Sequence, residues 1–200
     1  MHYLLSGNPV LEVNMKRQQH GFTLLELMVT IAIVGIVAAI AFWNSSDMLE
    51  DNRAENYLLE LKRNITFARA KAVATDSVII GCFIDKSRFR DRQQAICRSG
   101  GNMKEDSVLV FFVKGNDEYR HYRYTPDEQP ALRVMEIPEG DTLKYYGGSN
   151  RIAFDASGRT MFPIRGFVYC PGTQNKNNKE LILSVTGTAL YKGDTSTTCG

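Results

Sequence analysis

One acidic residue, Glu26, lies inside the most apolar stretch of the chain, Phe22 to Trp43. At the centre of a bilayer a charge costs at least about 2.5 kcal/mol, and such residues usually have an ionic partner or a functional role. A basic segment, residues 16–20, and then Gly21 precede the stretch. The chemistry that this pattern indicates is charge pairing, because a buried carboxylate is tolerated when a cation lies beside it.

The element that must position Glu26 is a long helix. As a helix, the stretch from Phe22 to Trp43 would extend about 33 Å, and a bilayer hydrocarbon core is about 30 Å thick. A secretory signal peptide has an apolar core of roughly 7–15 residues, which is shorter than this one. A plain membrane anchor fits the length but leaves Glu26 unexplained.

The order of glycine, Phe-Thr-Leu-Leu-Glu and an apolar helix resembles the class III signal of type IV pilins and type II secretion pseudopilins. The resemblance implies that a prepilin peptidase cleaves on the cytoplasmic side, between Gly21 and Phe22, and then methylates the new amine of Phe22. It also implies that Glu26 pairs with the terminal amine of a neighbouring subunit and so sets the axial register of a filament. The alternative is that Glu26 is a protonated or snorkelling residue without such a role.

The same resemblance divides the chain into three parts. Residues 1–21 are expected to be a removed leader, with Met15 as a candidate for the true start. Residues 22–45 are expected to form a transmembrane and filament-core helix, and residues 46–200 a periplasmic pilin-like domain. Basic leader residues favour a cytoplasmic amino end. The expected location is therefore the inner membrane, with a single pass, and the filament after assembly.

The helix is predicted to continue to about residue 74 and to be followed only by strands. Apolar residues recur at spacings of three and four, which indicates an amphipathic helix, at Leu58, Leu61, Ile65, Ala68 and Ala72. This stripe is expected to pack on the following sheet, and a coiled-coil partner is the alternative. One helix followed by strands predicts an α+β fold, the type IV pilin-like fold, with the helix on an antiparallel sheet.

Short β-rich segments bounded by turn residues predict the strands. They are residues 77–84, 94–97, 108–113, 119–124, 132–137, 152–154, 167–170 and 181–185. Residues 86–92 are predicted to form the tip of a hairpin between the first two strands. The polar tract 174–179 is predicted to be an exposed loop.

The four cysteines, Cys82, Cys97, Cys170 and Cys199, all follow the apolar stretch. If that part of the chain is periplasmic, the compartment is oxidising and two disulfides are expected. Four cysteines allow three connectivities, and Cys82–Cys97 with Cys170–Cys199 is favoured because each pair closes a short loop. A metal site is the alternative, but nearby histidines are lacking.

A second resemblance, to the GspH/FimT family of minor pilins and pseudopilins, rests on several looser motifs. They are Leu58-Leu59-x-Leu61-x-x-Asn64-x-x-x-Ala68-Arg69-x-Lys71-Ala72, Phe154-x-x-x-Gly158-Arg159, Gly166-x-x-x-Cys170 and Ser184-Val185-Thr186-Gly187. Members linked to DNA binding have Gly-Arg-x-Arg after the last glycine. Here Thr188 and Leu190 stand in place of the two arginines, which argues against DNA capture at this position.

Another basic cluster offers a candidate contact for DNA or a partner: Lys86, Arg88, Arg90 and Arg92, with Arg98 close in sequence. Phosphates could be held there by charge, and Phe89 could stack on a base. The alternative is a solvated turn, because Asp85 and Asp91 partly neutralise it.

Known catalytic motifs are absent from the sequence, including G-x-S-x-G, H-E-x-x-H and a P-loop. The formal net charge of +2 gives no strong nucleic-acid signature. We therefore expect a substrate of a peptidase rather than an enzyme, without cofactor or metal.

The leading hypothesis is a minor type IV pilin of the FimT/FimU kind that helps to initiate the filament or links its tip to its shaft. The alternatives are a GspH-like pseudopilin of a type II secretion system and a DNA-binding subunit displayed on a pilus. The expected partners are the prepilin peptidase, other major and minor pilins and the inner membrane.

Overall fold

The computed structural model describes residues 22–114, 123–147, 151–162, 164–172 and 176–200, without the side chains of residues 41–46, 164 and 165. The chain divides into two compact units, Met1–Trp43 and Asn44–Gly200. Helix α1, Leu24–Thr75, contributes residues to both units. It agrees with the predicted helix to within two residues at each end. The predicted leader, residues 1–21, lies outside the described part of the chain.

The second unit contains the carboxyl-terminal part of α1, a short helix and strands. After α1 the elements are β1 Ile79–Asp85, α2 Lys86–Arg90, β2 Ala95–Ile96, β3 Gly101–Met103, β4 Ser107–Val113, β5 Arg123–Tyr124, β6 Arg133–Glu136, β7 Thr142–Gly147, β8 Arg151–Phe154, β9 Ile164–Cys170, β10 Lys179–Leu183 and β11 Ala189–Asp194. One sheet has the order β6-β4-β1-β8, a second β11-β10-β9-β7-β3, and β2 pairs with β5. The strand pairs are antiparallel. The predicted α+β class, one long helix followed by antiparallel sheets, is therefore confirmed.

The apolar stripe of α1 lies in the main core of this unit. Leu58, Leu61 and Ile65 are fully buried and belong to one cluster with side chains from both large sheets. Phe111 of β4 and Phe167 of β9 are among them. The stripe is thus used by packing within the domain, as predicted, and is not available to a coiled-coil partner. Burial of each large aliphatic side chain stabilises the fold by about 1.5–3 kcal/mol.

The predicted hairpin between β1 and the segment 94–97 is wrong. Residues 86–90 form helix α2, and β2 pairs with β5 instead of β1. Both edges of β1 are occupied, by β4 over seven residue pairs and by β8 over four. The physical reason is burial: β1 and β4 are nearly continuous apolar strands, and pairing them covers more apolar surface than a polar return strand could.

A second, smaller core lies on the other face of the β4–β1 sheet. It contains Ile80, Cys82 and Phe112 from the sheet, Tyr124 from the β2–β5 ribbon, and Cys97 directly after β2. The Cys82–Cys97 disulfide joins this ribbon to β1. The backbone N–H of Arg98 also donates to the carbonyl oxygen of Phe83, at 2.7 Å. The ribbon therefore covers the sheet as a separate layer and does not extend it.

Three strands that the structure contains were not predicted, namely β3, β7 and β11. The predicted strands 108–113, 132–137, 152–154, 167–170 and 181–185 each overlap an observed one. Of the predicted strand 119–124, residues 119–122 lie outside the described part. The prediction of an exposed loop over residues 174–179 is wrong at its end, because Asn178 and Lys179 are buried and Lys179 begins β10.

Candidate functional site

The amino-terminal site is described from Phe22 onwards. Phe22 and Thr23 precede the helix, which begins at Leu24, and the Phe22 side chain is 80% exposed. Glu26 lies in the first helical turn and is exposed. A negative side chain is favourable there because the first turn is the positive end of the helix dipole. Gly21 lies outside the described residues, so cleavage after Gly21 and methylation of Phe22 remain predictions.

The first unit has an apolar surface on every side of its helix. Its large side chains are at least 49% exposed, at Leu24, Leu25, Leu27, Met28, Val29, Ile31, Ile33, Val34, Ile36, Val37 and Ile40. A helix that is apolar all round requires a covering.

Membrane crossing by residues 22–45 is not borne out by the described part of the chain and stays a prediction. In that part of the chain, no helix is both long enough and apolar enough to cross a membrane. The side chains of residues 41–46, at the end of the predicted segment, lie outside the description.

The basic cluster is on and beside helix α2, and carboxylates pair with most of it. Lys86, Arg88 and Arg90 lie on α2, and Arg92 follows it. The ion pairs are Lys86–Glu136, Arg88–Asp85 (3.9 Å), Arg92–Asp127 (2.9 Å) and Arg98–Asp106 (3.0 Å). Together they compensate much of the local positive charge.

The aromatic member of this cluster is packed. Phe89 is half-buried against the smaller core, and its ring centroid lies 6.1 Å from that of Tyr124. This arrangement favours the solvated-turn interpretation over an open stacking platform. Contact of the cluster with DNA or a partner stays a prediction.

The looser sequence motifs meet at one joint between α1 and two turns. Arg69 donates through Nε to the carbonyl oxygen of Gly158 at 3.1 Å and through Nη1 to Thr188 Oγ1 at 3.5 Å. Gly187 has φ +80°, and a Cβ atom there would collide with the Gly158 carbonyl oxygen. Glycine is needed at this point both for its conformation and for the close backbone approach. These motif residues therefore hold the helix to the turns.

A buried carboxylate that sequence reasoning missed, Asp141, organises a second joint. Its side chain is fully buried and accepts hydrogen bonds from Arg53 Nη2 at 2.9 Å, from the N–H of Gly172 at 2.9 Å and from the Tyr169 hydroxyl. Tyr169 in turn stacks on Tyr57 of α1, with ring centroids 4.4 Å apart. Burial and the hydrogen bond to Asp141 raise the pKa of Tyr169 well above its usual range. Nothing local distinguishes Asp141 from an ordinary turn residue.

Lys179 forms a third connection between the helix and the strands. Its Nζ lies 2.5 Å from a carboxylate oxygen of Asp51 on α1 and 2.5 Å from one of Asp194 on β11. Burial by itself would lower the pKa of this ammonium, but the two carboxylates outweigh it and raise the pKa above its ordinary value. The charged form is thus the one that the fold retains.

The cysteines form two disulfides, Cys82–Cys97 and Cys170–Cys199, the pairing favoured from the sequence. The second one fastens the end of the chain to β9. Lys144 Nζ supports the same end by donating to the carbonyl oxygen of Thr198 at 2.8 Å. No group of three or more histidine, cysteine, aspartate or glutamate residues in the described ranges could hold a metal ion.

Residues 16–42 match the protein family described as "Prokaryotic N-terminal methylation motif". The matched region contains the basic segment, Gly21, Phe22 and Glu26. The chain thus carries a prokaryotic N-terminal methylation motif, followed by an α+β domain. Comparison with curated proteins found no match.

Two solved structures are similar in shape, both of the type IV minor pilin FimU of Pseudomonas aeruginosa strain PAO1. The crystal form in space group P65 has 17% identity and a TM-score of 0.46, and covers 71% of this chain and 93% of its own. The P21 form has 18% identity and a TM-score of 0.48, and covers 74% and 93%.

Proposed function

We propose that this chain is a minor type IV pilin, which is processed after Gly21, enters a filament and helps to initiate it or links its tip to its shaft. The observation that carries the proposal is the segment from Gly21 to Glu26, inside the matched methylation motif of residues 16–42. This segment ends in the first turn of α1, which begins at Leu24. The partners that the proposal requires are a prepilin peptidase, other pilins and the inner membrane.

The proposed mechanism is a charge pair that forms only during assembly. Cleavage after Gly21 creates an ammonium group on Phe22, and methylation leaves it cationic. When the apolar helices of neighbouring subunits pack together, both the ammonium and Glu26 lose contact with water. Each then requires the other, since an unpaired buried charge costs several kcal/mol. The pair would therefore favour one axial offset between subunits.

The experiment that tests this function is a clean deletion, scored in parallel for surface pili, DNA uptake and secretion of exported enzymes. We expect pili to be lost and secretion to remain, and the wild-type gene to restore the pili. Loss of secretion alone would instead identify a GspH-like pseudopilin, which uses the same chemistry in another machine. Loss of DNA uptake with pili intact would favour a DNA-binding subunit and direct attention to Arg88 and Arg90.

Replacing Glu26 with alanine should leave cleavage after Gly21 intact and lower incorporation into filaments at least about tenfold, because the ammonium loses its partner. Glu26→Gln should behave like alanine, since it keeps the shape but not the charge. Glu26→Asp keeps the charge and should retain part of the incorporation. The measurement is the fraction of processed chain found in sheared filaments. Normal incorporation of Glu26→Ala would reject the charge pair.

A further inference from the structure

Thr23 is joined to the first turn of α1 by two hydrogen bonds. The backbone N–H of Glu26 donates to Thr23 Oγ1 at 3.1 Å, and the N–H of Leu27 donates to the Thr23 carbonyl oxygen at 3.1 Å. The second bond is the first regular one of the helix, which begins at Leu24. Thr23 is therefore the N-cap, and its hydroxyl satisfies one of the N–H groups that a helix start leaves unpaired.

The neighbouring residues complete a known pattern for a helix start. Thr23 and Glu26 have the spacing of a capping box, in which a threonine is followed three positions later by a glutamate. Phe22 and Leu27 occupy the positions of the hydrophobic staple, just before the cap and at the fourth helical residue. The residue types and their spacing thus favour a helix start at Leu24.

We propose that Thr23 is a positioning residue for Glu26, a role that rests on the proposed function. The Thr23 hydroxyl holds the first turn closed, and this turn determines where on the helix the Glu26 carboxylate is presented to the amine of a neighbouring subunit. If the first turn opened, Glu26 would leave the helix and its carboxylate would have no defined position. A charge pair that sets the register of a filament requires such a position.

Processing makes the cap more important. The new ammonium on Phe22 lies beside the positive end of the helix dipole, which is unfavourable and promotes opening of the first turn. In apolar surroundings, an N–H group that loses its acceptor also cannot form a hydrogen bond with water instead. Thr23 supplies an acceptor within the chain, so the turn stays closed before a neighbouring subunit arrives.

Two substitutions of Thr23 separate the effect of its hydroxyl group from the effect of the size of its side chain. Thr23→Val keeps nearly the same shape without the acceptor, and Thr23→Ser keeps the acceptor. Both should be cleaved after Gly21 like the wild type. We expect incorporation into filaments to fall about fivefold for Thr23→Val and to stay within about twofold of the wild type for Thr23→Ser. In the full processed chain in detergent micelles, amide exchange at Glu26 should be about fivefold faster in Thr23→Val only.

A double substitution tests whether Thr23 acts through Glu26. If it does, Thr23→Val should cause no further loss of incorporation when Glu26 is already glutamine. A further fivefold loss in that background would show an independent role and overturn the proposal. Wild-type incorporation of Thr23→Val, or an equal loss in Thr23→Ser, would overturn it as well.

The same filament assay separates this proposal from the function on which it rests. A wild-type chain that is not cleaved after Gly21, or a Glu26→Ala chain that incorporates normally, would reject the proposed function and with it the role of Thr23. If the wild type is cleaved, if its incorporation depends on Glu26 and if Thr23→Val incorporates normally, only the role of Thr23 is rejected.

Discussion

Replacing Gly21 with arginine is expected to leave the chain as an uncut precursor that is absent from filaments. A peptidase must accept an extended backbone at the scissile bond, and glycine provides it without a side chain. A long, charged side chain at this position would displace the reacting carbonyl group, and displacements of about 1 Å can lower rates about a hundredfold. We therefore expect cleavage to fall by about a hundredfold or more.

The measurement is the intact mass of the full chain after expression with a prepilin peptidase. His20→Arg is the matched control, since it adds the same side chain one residue earlier and should be cleaved normally. Gly21→Ala should be intermediate, because a methyl group is the smallest side chain that can be added. A Gly21→Arg chain that begins at Phe22 would contradict the assignment of the cleavage site.

Replacing Asp141 with alanine is expected to lower the free energy of unfolding by about 3 kcal/mol. The substitution leaves the buried Tyr169 hydroxyl and the half-buried N–H of Gly172 without their acceptor, and each unsatisfied buried group costs about 1–3 kcal/mol. Arg53 loses its partner too, but its side chain is 44% exposed and can be hydrated. Asp141→Asn keeps an acceptor oxygen and should cost less.

The matched control for Asp141→Ala is another arginine–aspartate ion pair with the same distance between nitrogen and oxygen. Arg92 and Asp127 are also 2.9 Å apart, but their side chains are 71% and 78% exposed. Exposed pairs contribute about 0–1 kcal/mol, so Asp127→Ala should change the melting temperature by no more than about 4 °C. For Asp141→Ala we expect the melting temperature to decrease by about 6–12 °C. The melting temperature is measured by near-ultraviolet circular dichroism with the disulfides intact. Equal decreases for the two variants would show that burial does not explain the role of Asp141.

Sequence patterns were sufficient where the information is local. A long apolar stretch and a spacing of three and four residues predicted α1 almost to its ends, because helical hydrogen bonds join residues four apart. The motif from Gly21 to Glu26 was also identified from local information, because its residues are adjacent in the sequence. The stripe through Leu58, Leu61 and Ile65 also predicted which face of the helix is buried. None of these conclusions required knowledge of which segments pair with one another.

Strand pairing depended on segments that are distant along the chain. The hairpin predicted after β1 was the nearest arrangement in sequence, yet β1 pairs with β4 and β8, and β2 pairs with β5. Strand β7 shows regular alternation, with Leu143 and Tyr145 buried, but it is short and bounded by common turn residues. A short alternating segment becomes a strand only when neighbouring strands satisfy its backbone groups.

The buried charges show most clearly what only the tertiary structure decided. Asp141 follows Glu139-Gly140 and has the sequence of an exposed turn, and Lys179 ends a polar tract that predicts an exposed loop. Their partners are remote in sequence: Arg53 for Asp141, and Asp51 for Lys179. A charged side chain can be buried only where opposite charges and hydrogen-bond donors converge on it. The sequence by itself determined the amino-terminal motif, the long helix and the α+β class, while this convergence exists only once the helix has packed on the strands.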